Sequence, residues 1–261
     1  ILRLKKKIIS GPEWLYENIL QNKKVIAVSG THGKTTVTSM IAHSLVDNNF
    51  DPNYLIAGIP KKLDKSWNIS EDEIFVIEAD EYDTCFFDKR PKFFHYSPTI
   101  LLVNNIEFDH ADIYENIEMI EDNFFELIKT MPSNSRVLVN EHRVSERFKN
   151  NLATYMFETK LQFLSIDASN IHEENKLLAA YAIEEFLPKD KVLSSLEDYK
   201  GVKRRFETIF ENENFKLIDD FAHHPTAIDE TIKMATEQTD NLILIIELGS
   251  NSMKKGIHDE R

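Results

Sequence analysis

Three short polar stretches, each directly after an apolar run, carry the residue types that bind phosphate and divalent cations. The first, residues 30–36, reads Gly-Thr-His-Gly-Lys-Thr-Thr and follows the apolar residues 25–28. Glycine lets the backbone approach a ligand closely, a lysine ammonium reaches phosphate oxygens, and the hydroxyl of Thr35 can bind magnesium. This pattern is typical of a phosphate-binding loop, although Val28 stands where the standard long pattern has glycine. Taken alone, Gly-Lys-Thr-Thr is also compatible with an ordinary turn.

The second and third stretches are rich in carboxylates. Residues 78–83 read Glu-Ala-Asp-Glu-Tyr-Asp after the apolar run 74–77, and residues 104–110 end in Asp-His after the run 99–103. The carboxyl ends of parallel strands form the ligand crevice of an open sheet, so we expect Glu78 there as a magnesium ligand. His110 is a candidate ligand of a second cation. The alternatives are a solvated acidic loop and a histidine with a purely structural role.

Strands and helices are predicted to alternate along the chain, which determines how these stretches are positioned. Predicted strands cover residues 25–28, 74–77, 99–103, 137–139 and 161–165, and predicted helices cover residues 11–22, 37–46, 115–130 and 173–186. Such alternation indicates an α/β fold with an open, mostly parallel sheet flanked by helices.

A second unit is predicted near residue 203. Strands at 215–218 and 242–246 bracket a helix at 226–235, which indicates the start of a further βαβ fold of Rossmann-like type. We therefore expect a lead-in at residues 1–22, a central domain at 23–202 and part of a second α/β domain at 203–261.

The composition argues against several classes of protein. Acidic residues number 44 against 31 lysines and arginines, so the net charge of −13 does not favour nucleic-acid binding. The single cysteine, Cys85, cannot form an internal disulfide and suits a reducing compartment. No apolar run approaches the roughly 20 residues of a membrane helix, and residues 1–7 lack the apolar core of a signal peptide. We expect a cytoplasmic protein that binds neither nucleic acid nor membrane.

The polar stretches resemble, in order, the ATP-site motifs of the Mur ligase family. Residues 30–36, 78–81 and 105–110 match its central domain, and residues 201–207 and 219–226 continue the match into its third domain. Residues 78–90 and 92–96 resemble the branch that adds a preformed murein peptide more than the branch that adds L-alanine. The resemblance implies an ATP- and Mg²⁺-dependent ligase that forms C–N bonds in peptidoglycan metabolism, on which cell shape and division depend.

The resemblance also implies roles for individual residues. The catalytic residues would be Lys34, Arg205 and His110, and magnesium would be held by Thr35, Glu78 and His110. ATP would be bound by Gly30, Thr31, His32, Gly33, Lys34, Thr35, Thr36, Asn105, Arg205 and Asp220. Substrate contacts would come from His223 or His224, and from Ser250 and Asn251. The two arginines at positions 204 and 205 are also compatible with a solvated linker.

The implied reaction joins L-alanyl-γ-D-glutamyl-meso-diaminopimelate to UDP-N-acetylmuramic acid through an acyl phosphate, as in peptidoglycan recycling. One alternative is a ligase that adds L-alanine to the same acceptor, and another is a nucleotide-binding regulatory module without ligase activity. A folylpolyglutamate-synthetase-like enzyme shares the loop chemistry, but residues 78–96 argue against it. A monomer is favoured.

Several departures from the family pattern affect what these residues are expected to do alone. Residues 1–261 contain no counterpart of the family's UDP-binding domain and only a small part of its C-terminal domain. We therefore do not expect residues 1–261 alone to catalyse ligation. Residues 247–254 resemble a family motif but carry Leu248 and Gly249 where the family has Pro-Arg. Residues 172–175 match the family's adenine-side segment only loosely.

Overall fold

The computed structural model describes residues 7–63, 65–155 and 159–247. Their strands are β1 (Lys24–Ser29), β2 (Asn53–Leu55), β3 (Trp67–Asn68), β4 (Ile74–Ala79), β5 (Asp83–Cys85), β6 (Asp88–Pro91), β7 (Ile100–Val103), β8 (Arg136–Asn140), β9 (Lys160–Leu164), β10 (Glu207–Glu211) and β11 (Lys216–Asp219). Their α-helices are α1 (Gly11–Asn18), α2 (Lys34–Asp47), α3 (Ile117–Thr130), α4 (Glu146–Thr154), α5 (Ile171–Ala182), α6 (Lys189–Ser195) and α7 (Pro225–Thr236). Short 3₁₀ turns lie at Leu20–Asn22, Lys92–His95, Glu141–Arg143 and Leu196–Asp198.

A seven-stranded sheet organises the molecule, with the strand order β3-β2-β4-β1-β7-β8-β9. Every neighbouring pair is parallel except β2 and β3, so the predicted α/β fold with a mostly parallel sheet is confirmed. The last residue of β1, Ser29, is level with Ala79 of β4 and Val103 of β7. The three polar stretches therefore leave the sheet side by side at its carboxyl edge.

Helices cover both faces of this sheet, which explains why its central strands are unbroken apolar runs. Ile26 and Val28 of β1 pack with α2, α5 and α6 on one face, whereas Val25 and Ala27 pack with α3 and α4 on the other. A strand that is buried on both faces needs apolar side chains at successive positions. Among the described residues, no helix has the length and apolar character needed to cross a membrane.

The first turn of α2 differs from the prediction, which began the helix at residue 37. The helix begins at Lys34, because Gly33 adopts a left-handed conformation (φ 80°) that turns the chain directly into it. Apolar periodicity could not detect this turn, since its residues are Lys34, Thr35 and Thr36.

The predicted strand at residues 242–246 is wrong. These residues form neither strand nor helix, and Ile243 and Ile245 are 89% and 90% exposed. The strand β11 pairs instead with β10 in an antiparallel hairpin that the sequence analysis missed, and α7 follows it. Described residues after 203 thus contain a hairpin and a helix rather than a βαβ unit. The division of the chain into domains stays a prediction.

We predict that Phe124→Ala lowers the free energy of unfolding by about 3–5 kcal/mol, because the ring is 1% exposed and truncation leaves a cavity. The ring packs against Phe93 and Phe148, with centroids 5.0 and 6.4 Å away. Met119→Ala, on the same helix but 39% exposed, should change stability by no more than about 0.5 kcal/mol. Urea denaturation of both variants tests this, and equal losses would contradict it.

Candidate functional site

The loop between β1 and α2 packs closely on the segment that follows β7. A Cβ at Gly30 (φ 138°) would lie 2.9 Å from the backbone N and O of Asn105, and one at Gly33 would lie 2.6 Å from Nδ2 of Asn104. The amide of His32 donates to Oδ1 of Asn105 at 3.0 Å, and Nδ2 of Asn105 donates back to the His32 carbonyl at 2.9 Å. Both glycines are therefore required by conformation and by space.

The amino end of α2 is well suited to bind an anion. The first N–H groups of a helix have no partner within it and carry partial positive charge. No side chain among the described residues caps this end, and Gly33 is the N-cap residue. Phosphate oxygens are ligands that such an end binds well.

Lys34 directs its ammonium group to the acidic stretch after β4. Its Nζ donates to the Gly30 carbonyl at 2.6 Å and to Oε2 of Glu81 at 3.0 Å, and lies 3.6 Å from Oδ1 of Asp80. Burial lowers the pKa of Lys34, but the charges of Glu81 and Asp80 outweigh it and leave the pKa raised. The ammonium is therefore charged at neutral pH.

The carboxylates of Asp80 and Glu81 form a group with the His110 ring. The metal-ligating atoms of these three side chains lie within 4.8 Å of one another. Oε1 of Glu81 is 3.7 Å from Nε2 of His110, and Oδ2 of Asp80 accepts from Lys92 at 2.6 Å. Burial raises the pKa of Asp80, but Lys34 and Lys92 outweigh it and leave the pKa lowered.

Glu78 belongs to a second group, around Thr35. Its Oε2 accepts from the Thr35 hydroxyl at 2.9 Å, and its Oε1 accepts from the Ala57 amide at 2.6 Å. Nη2 of Arg205 donates to the same hydroxyl at 3.3 Å. Burial raises the pKa of Glu78, although the bonds from Ala57 and Thr35 partly oppose it. A nearby cation would therefore stabilise its charged form.

Members of both groups, Asp80 and His110 of the first and Thr35 and Glu78 of the second, line one cavity of about 510 Å³ at the carboxyl edge of the sheet. The predicted site residues on its wall are Thr31, His32, Gly33, Lys34, Thr35, Glu78, His110, Arg205, His223 and His224. Lys34, Glu78 and His110 thus come together around one space, as the sequence predicted. Asp80 and Lys92, to which the sequence analysis gave no role, lie on the same wall.

Other predicted residues lie elsewhere. Gly30, Thr36 and Asn105 are not on the cavity wall. Asn105 instead holds the loop through the hydrogen bond that its side chain accepts from the His32 amide. Asp220 lines a neighbouring cavity of about 870 Å³, where its carboxylate accepts from the amides of Phe206 and Ala222, both at 2.6 Å. Ser250 and Asn251, together with Leu248 and Gly249, lie outside the described residues.

The predicted magnesium ligands do not form one compact group. Glu78 is absent from the described group around His110, whose acidic members are Asp80 and Glu81. The physical reason is the end of the strand: Glu78 is still within β4, whereas Asp80 and Glu81 follow its last residue, where the chain no longer keeps the strand conformation. The four carboxylates in residues 78–83 were a signal for two separate groups, because the chain leaves the strand between Glu78 and the carboxylates that follow it.

Glu107, to which the sequence analysis gave no role, connects the loop to α7. Its Oε1 lies 2.9 Å from Nε2 of His32, and its Oε2 accepts from the Thr226 hydroxyl at 2.5 Å. Burial raises the pKa of Glu107, but these bonds, together with the charges of the two nearby histidines, outweigh it and lower the pKa to about 2.

We predict that Lys34→Met lowers the free energy of unfolding by about 3 kcal/mol, because it leaves the Glu81 carboxylate, 2% exposed, without its ammonium partner. The double variant Lys34→Met/Glu81→Gln should recover more than half of that loss. Urea denaturation of the single and double variants measures both effects. A single variant that loses under about 1 kcal/mol would contradict the pairing.

We also predict that the stability difference between the wild type and Glu107→Gln depends on pH. A lowered pKa means that the ionised carboxylate stabilises the fold fully above its unfolded value of 4.5 and loses this effect as the pH falls towards 2. The difference should be constant above about pH 5 and should have fallen by more than half at about pH 3. Urea denaturation across this range tests it, and a difference that does not change would refute it.

Comparison with known proteins places the chain in a family. A family model described as the Mur ligase middle domain matches residues 28–197. The UDP-N-acetylmuramate–L-alanyl-γ-D-glutamyl-meso-2,6-diaminoheptandioate ligase of Haemophilus influenzae is 34% identical, over 100% of this chain and 64% of the relative. The crystal structure of a murein peptide ligase from Psychrobacter arcticus matches with a TM-score of 0.74 and 30% identity, over 98% of this chain and 64% of that one.

A relative that adds a single amino acid is also similar. The UDP-N-acetylmuramate–L-alanine ligase of Desulfitobacterium hafniense is 30% identical, over 87% of this chain and 56% of its own length. The chain thus spans less than two thirds of each of these relatives. The resemblance predicted from the motifs, including the one to peptide-adding ligases, is confirmed. Since the matched model covers more than half of the chain and the fold agrees with it, the chain belongs to the Mur ligase family.

Proposed function

We propose that the protein is an ATP- and Mg²⁺-dependent ligase that joins L-alanyl-γ-D-glutamyl-meso-diaminopimelate to UDP-N-acetylmuramic acid. The observation that carries the proposal is the convergence of Lys34, Glu78 and His110 on one cavity at the carboxyl edge of a parallel sheet. The relatives from Haemophilus influenzae and Psychrobacter arcticus, named as ligases of this peptide or of murein peptide, support the choice of substrates.

The donor atoms on the cavity wall fit magnesium. Mg²⁺ prefers oxygen ligands and keeps few protein ligands beside its waters and substrate phosphates. The Thr35 hydroxyl and the Glu78 carboxylate supply such oxygens, and the burial of Glu78 disfavours its charge unless a cation is near. We assign one Mg²⁺ to Thr35 and Glu78 and a second cation to His110, where Asp80 and Glu81 add negative charge. Bound there, Mg²⁺ would offset the charge of the phosphate oxygens.

The first chemical step is the attack of the lactyl carboxylate on the γ-phosphorus of ATP. The bond between the carboxylate oxygen and phosphorus forms as the bond to ADP breaks, which gives an acyl phosphate and ADP. Two anions must approach each other, so the charge on the phosphoryl oxygens has to be neutralised. Lys34 and Arg205 are the cations on the wall that we assign to this task, since Lys34 begins α2 and Arg205 donates to the hydroxyl of Thr35, the next residue of that helix.

The second step is the attack of the peptide amine on the carbonyl carbon of the acyl phosphate. A tetrahedral intermediate forms, phosphate leaves with the electrons of the C–O bond, and the amine loses a proton. Water competes with the amine, so the cavity has to be closed while the acyl phosphate exists. His223 and His224, which follow β11 and lie on the cavity wall, are the candidates for contacts with the substrates.

Phosphate release by the complete protein tests this proposal. We expect release from Mg·ATP only when UDP-N-acetylmuramic acid and the tripeptide are both present. Release with L-alanine in place of the tripeptide would instead identify an alanine-adding ligase. Binding of nucleotide without release with either amine donor would indicate a regulatory module.

Lys34→Ala should reduce ligation by at least about a hundredfold, because a preorganised cation is lost from the transferred phosphoryl group. The matched control is Lys62→Ala. The Lys62 ammonium lies 2.7 Å from the Asp198 carboxylate in an exposed ion pair, and neither residue is on the cavity wall. This variant should keep its activity. Circular dichroism at the assay temperature confirms that each variant is folded. Ligation by Lys34→Ala within about tenfold of the wild type would refute the assignment.

A further inference from the structure

Glu107 holds a histidine of the phosphate loop in one orientation. Its Oε1 lies 2.9 Å from Nε2 of His32. Asn105 fixes the same ring from the other side, because its Oδ1 accepts from the His32 amide and its Nδ2 lies 3.3 Å from Nδ1. Since the amide nitrogen of Asn105 is a donor, Nδ1 accepts and the ring proton lies on Nε2. His32 therefore donates that proton in a hydrogen bond to Glu107.

The other oxygen of the same carboxylate faces the beginning of α7. The Thr226 hydroxyl donates to Oε2 at 2.5 Å, and Nδ1 of His224 lies 3.6 Å from that oxygen. Thr226 belongs to the first turn of α7, and His224 is its N-cap residue. Nε2 of His224 lies 3.3 Å from the carbonyl oxygen of Phe108. One carboxylate thus connects the phosphate loop with a helix almost 200 residues later in the chain.

Burial of the side chains strengthens these contacts. The side chains of His32, Glu107 and His224 are only 11%, 22% and 4% exposed. Hydrogen bonds to an ionised group are about twice as strong as those between neutral groups, and limited exposure reduces screening by salt. If α7 moved away, the carboxylate would keep His32 but lose the Thr226 hydroxyl.

Several further contacts between the central residues and residues 201–207 do not involve α7. Val202 forms an isolated β-bridge with Pro60, and Arg205 donates to Thr35. Both lie at the start of the later segment, so they fix where it begins but not where α7 lies. The carboxylate of Glu107 therefore has a separate role.

We propose that Glu107 is a positioning residue that couples nucleotide binding at the phosphate loop to the docking of α7. The inference rests on the proposed function, because it requires a nucleotide at residues 30–36. With Thr226 bound, Glu107 is held in the orientation that fixes His32, and the loop is preorganised for phosphate. By thermodynamic reciprocity, a nucleotide that selects this loop conformation also favours the docked α7, which brings His224 to the cavity.

The test is the dissociation constant of Mg·AMPPNP, measured by isothermal titration calorimetry on the complete protein. Thr226→Val removes the hydroxyl with little change of shape and should weaken binding about fivefold or more. In a Glu107→Ala background the same substitution should not change the dissociation constant further, because the carboxylate through which Thr226 acts on the loop is already absent. The matched control is Thr231→Val, also on α7, whose hydroxyl bonds within the helix to the Ala227 carbonyl at 2.9 Å.

A purely structural contact predicts a different outcome. Thr226→Val would then lower the free energy of unfolding but leave the dissociation constant within about twofold, which would overturn the proposal, as would equal weakening by Thr231→Val. Glu107→Gln keeps an oxygen for the Thr226 hydroxyl and should recover part of the affinity that Glu107→Ala loses. A wild type that binds no Mg·AMPPNP would overturn the proposed function and this coupling together. Normal wild-type binding with an unaffected Thr226→Val would overturn the coupling alone.

Discussion

The parallel pairing of β1 with β4 on one side and β7 on the other is the constraint on which the site depends. Because Ser29, Ala79 and Val103 are level in the sheet, the turns that follow them are neighbours in space although the sequence separates them. The burial of β1 on both faces holds this register, since each of its inner residues packs against helices. A shift of one residue would turn every side chain of the strand to the opposite face. The cavity at the carboxyl edge is thus a consequence of how the core packs.

Charge pairing at that edge follows from the same arrangement. The residues that follow β4 place carboxylates next to Lys34, which lies at the amino end of α2 after the loop that follows β1. Paired with Glu81 and near Asp80, the ammonium is charged in spite of its burial. Such a site can bind an anion at Lys34 and a cation at the carboxylates. A nucleotide with its metal ion supplies both at once.

A feature of the fold or of the site could be predicted from the sequence when local residues determine it, but not when residues distant in the chain do. The strands β1, β4 and β7 were predicted because burial on both faces demands unbroken apolar runs. The first turn of α2 was missed because it contains no apolar residue, and residues 242–246 were wrongly made a strand because apolar residues alone do not supply a pairing partner. The role of Glu107 depends on Thr226, which is 119 positions away. No local pattern reports a contact at that distance, so only the folded chain reveals it.

The central claim is that neighbouring strand ends form one binding site for a triphosphate and its metal ion. The most direct measurement is a crystal structure of the protein with Mg·AMPPNP. The account predicts the γ-phosphate against Lys34 and the amino end of α2, with Mg²⁺ against Thr35 and Glu78 on the wall shared with His110. A nucleotide bound on another surface, with the cavity at the sheet edge left without phosphate, would contradict it.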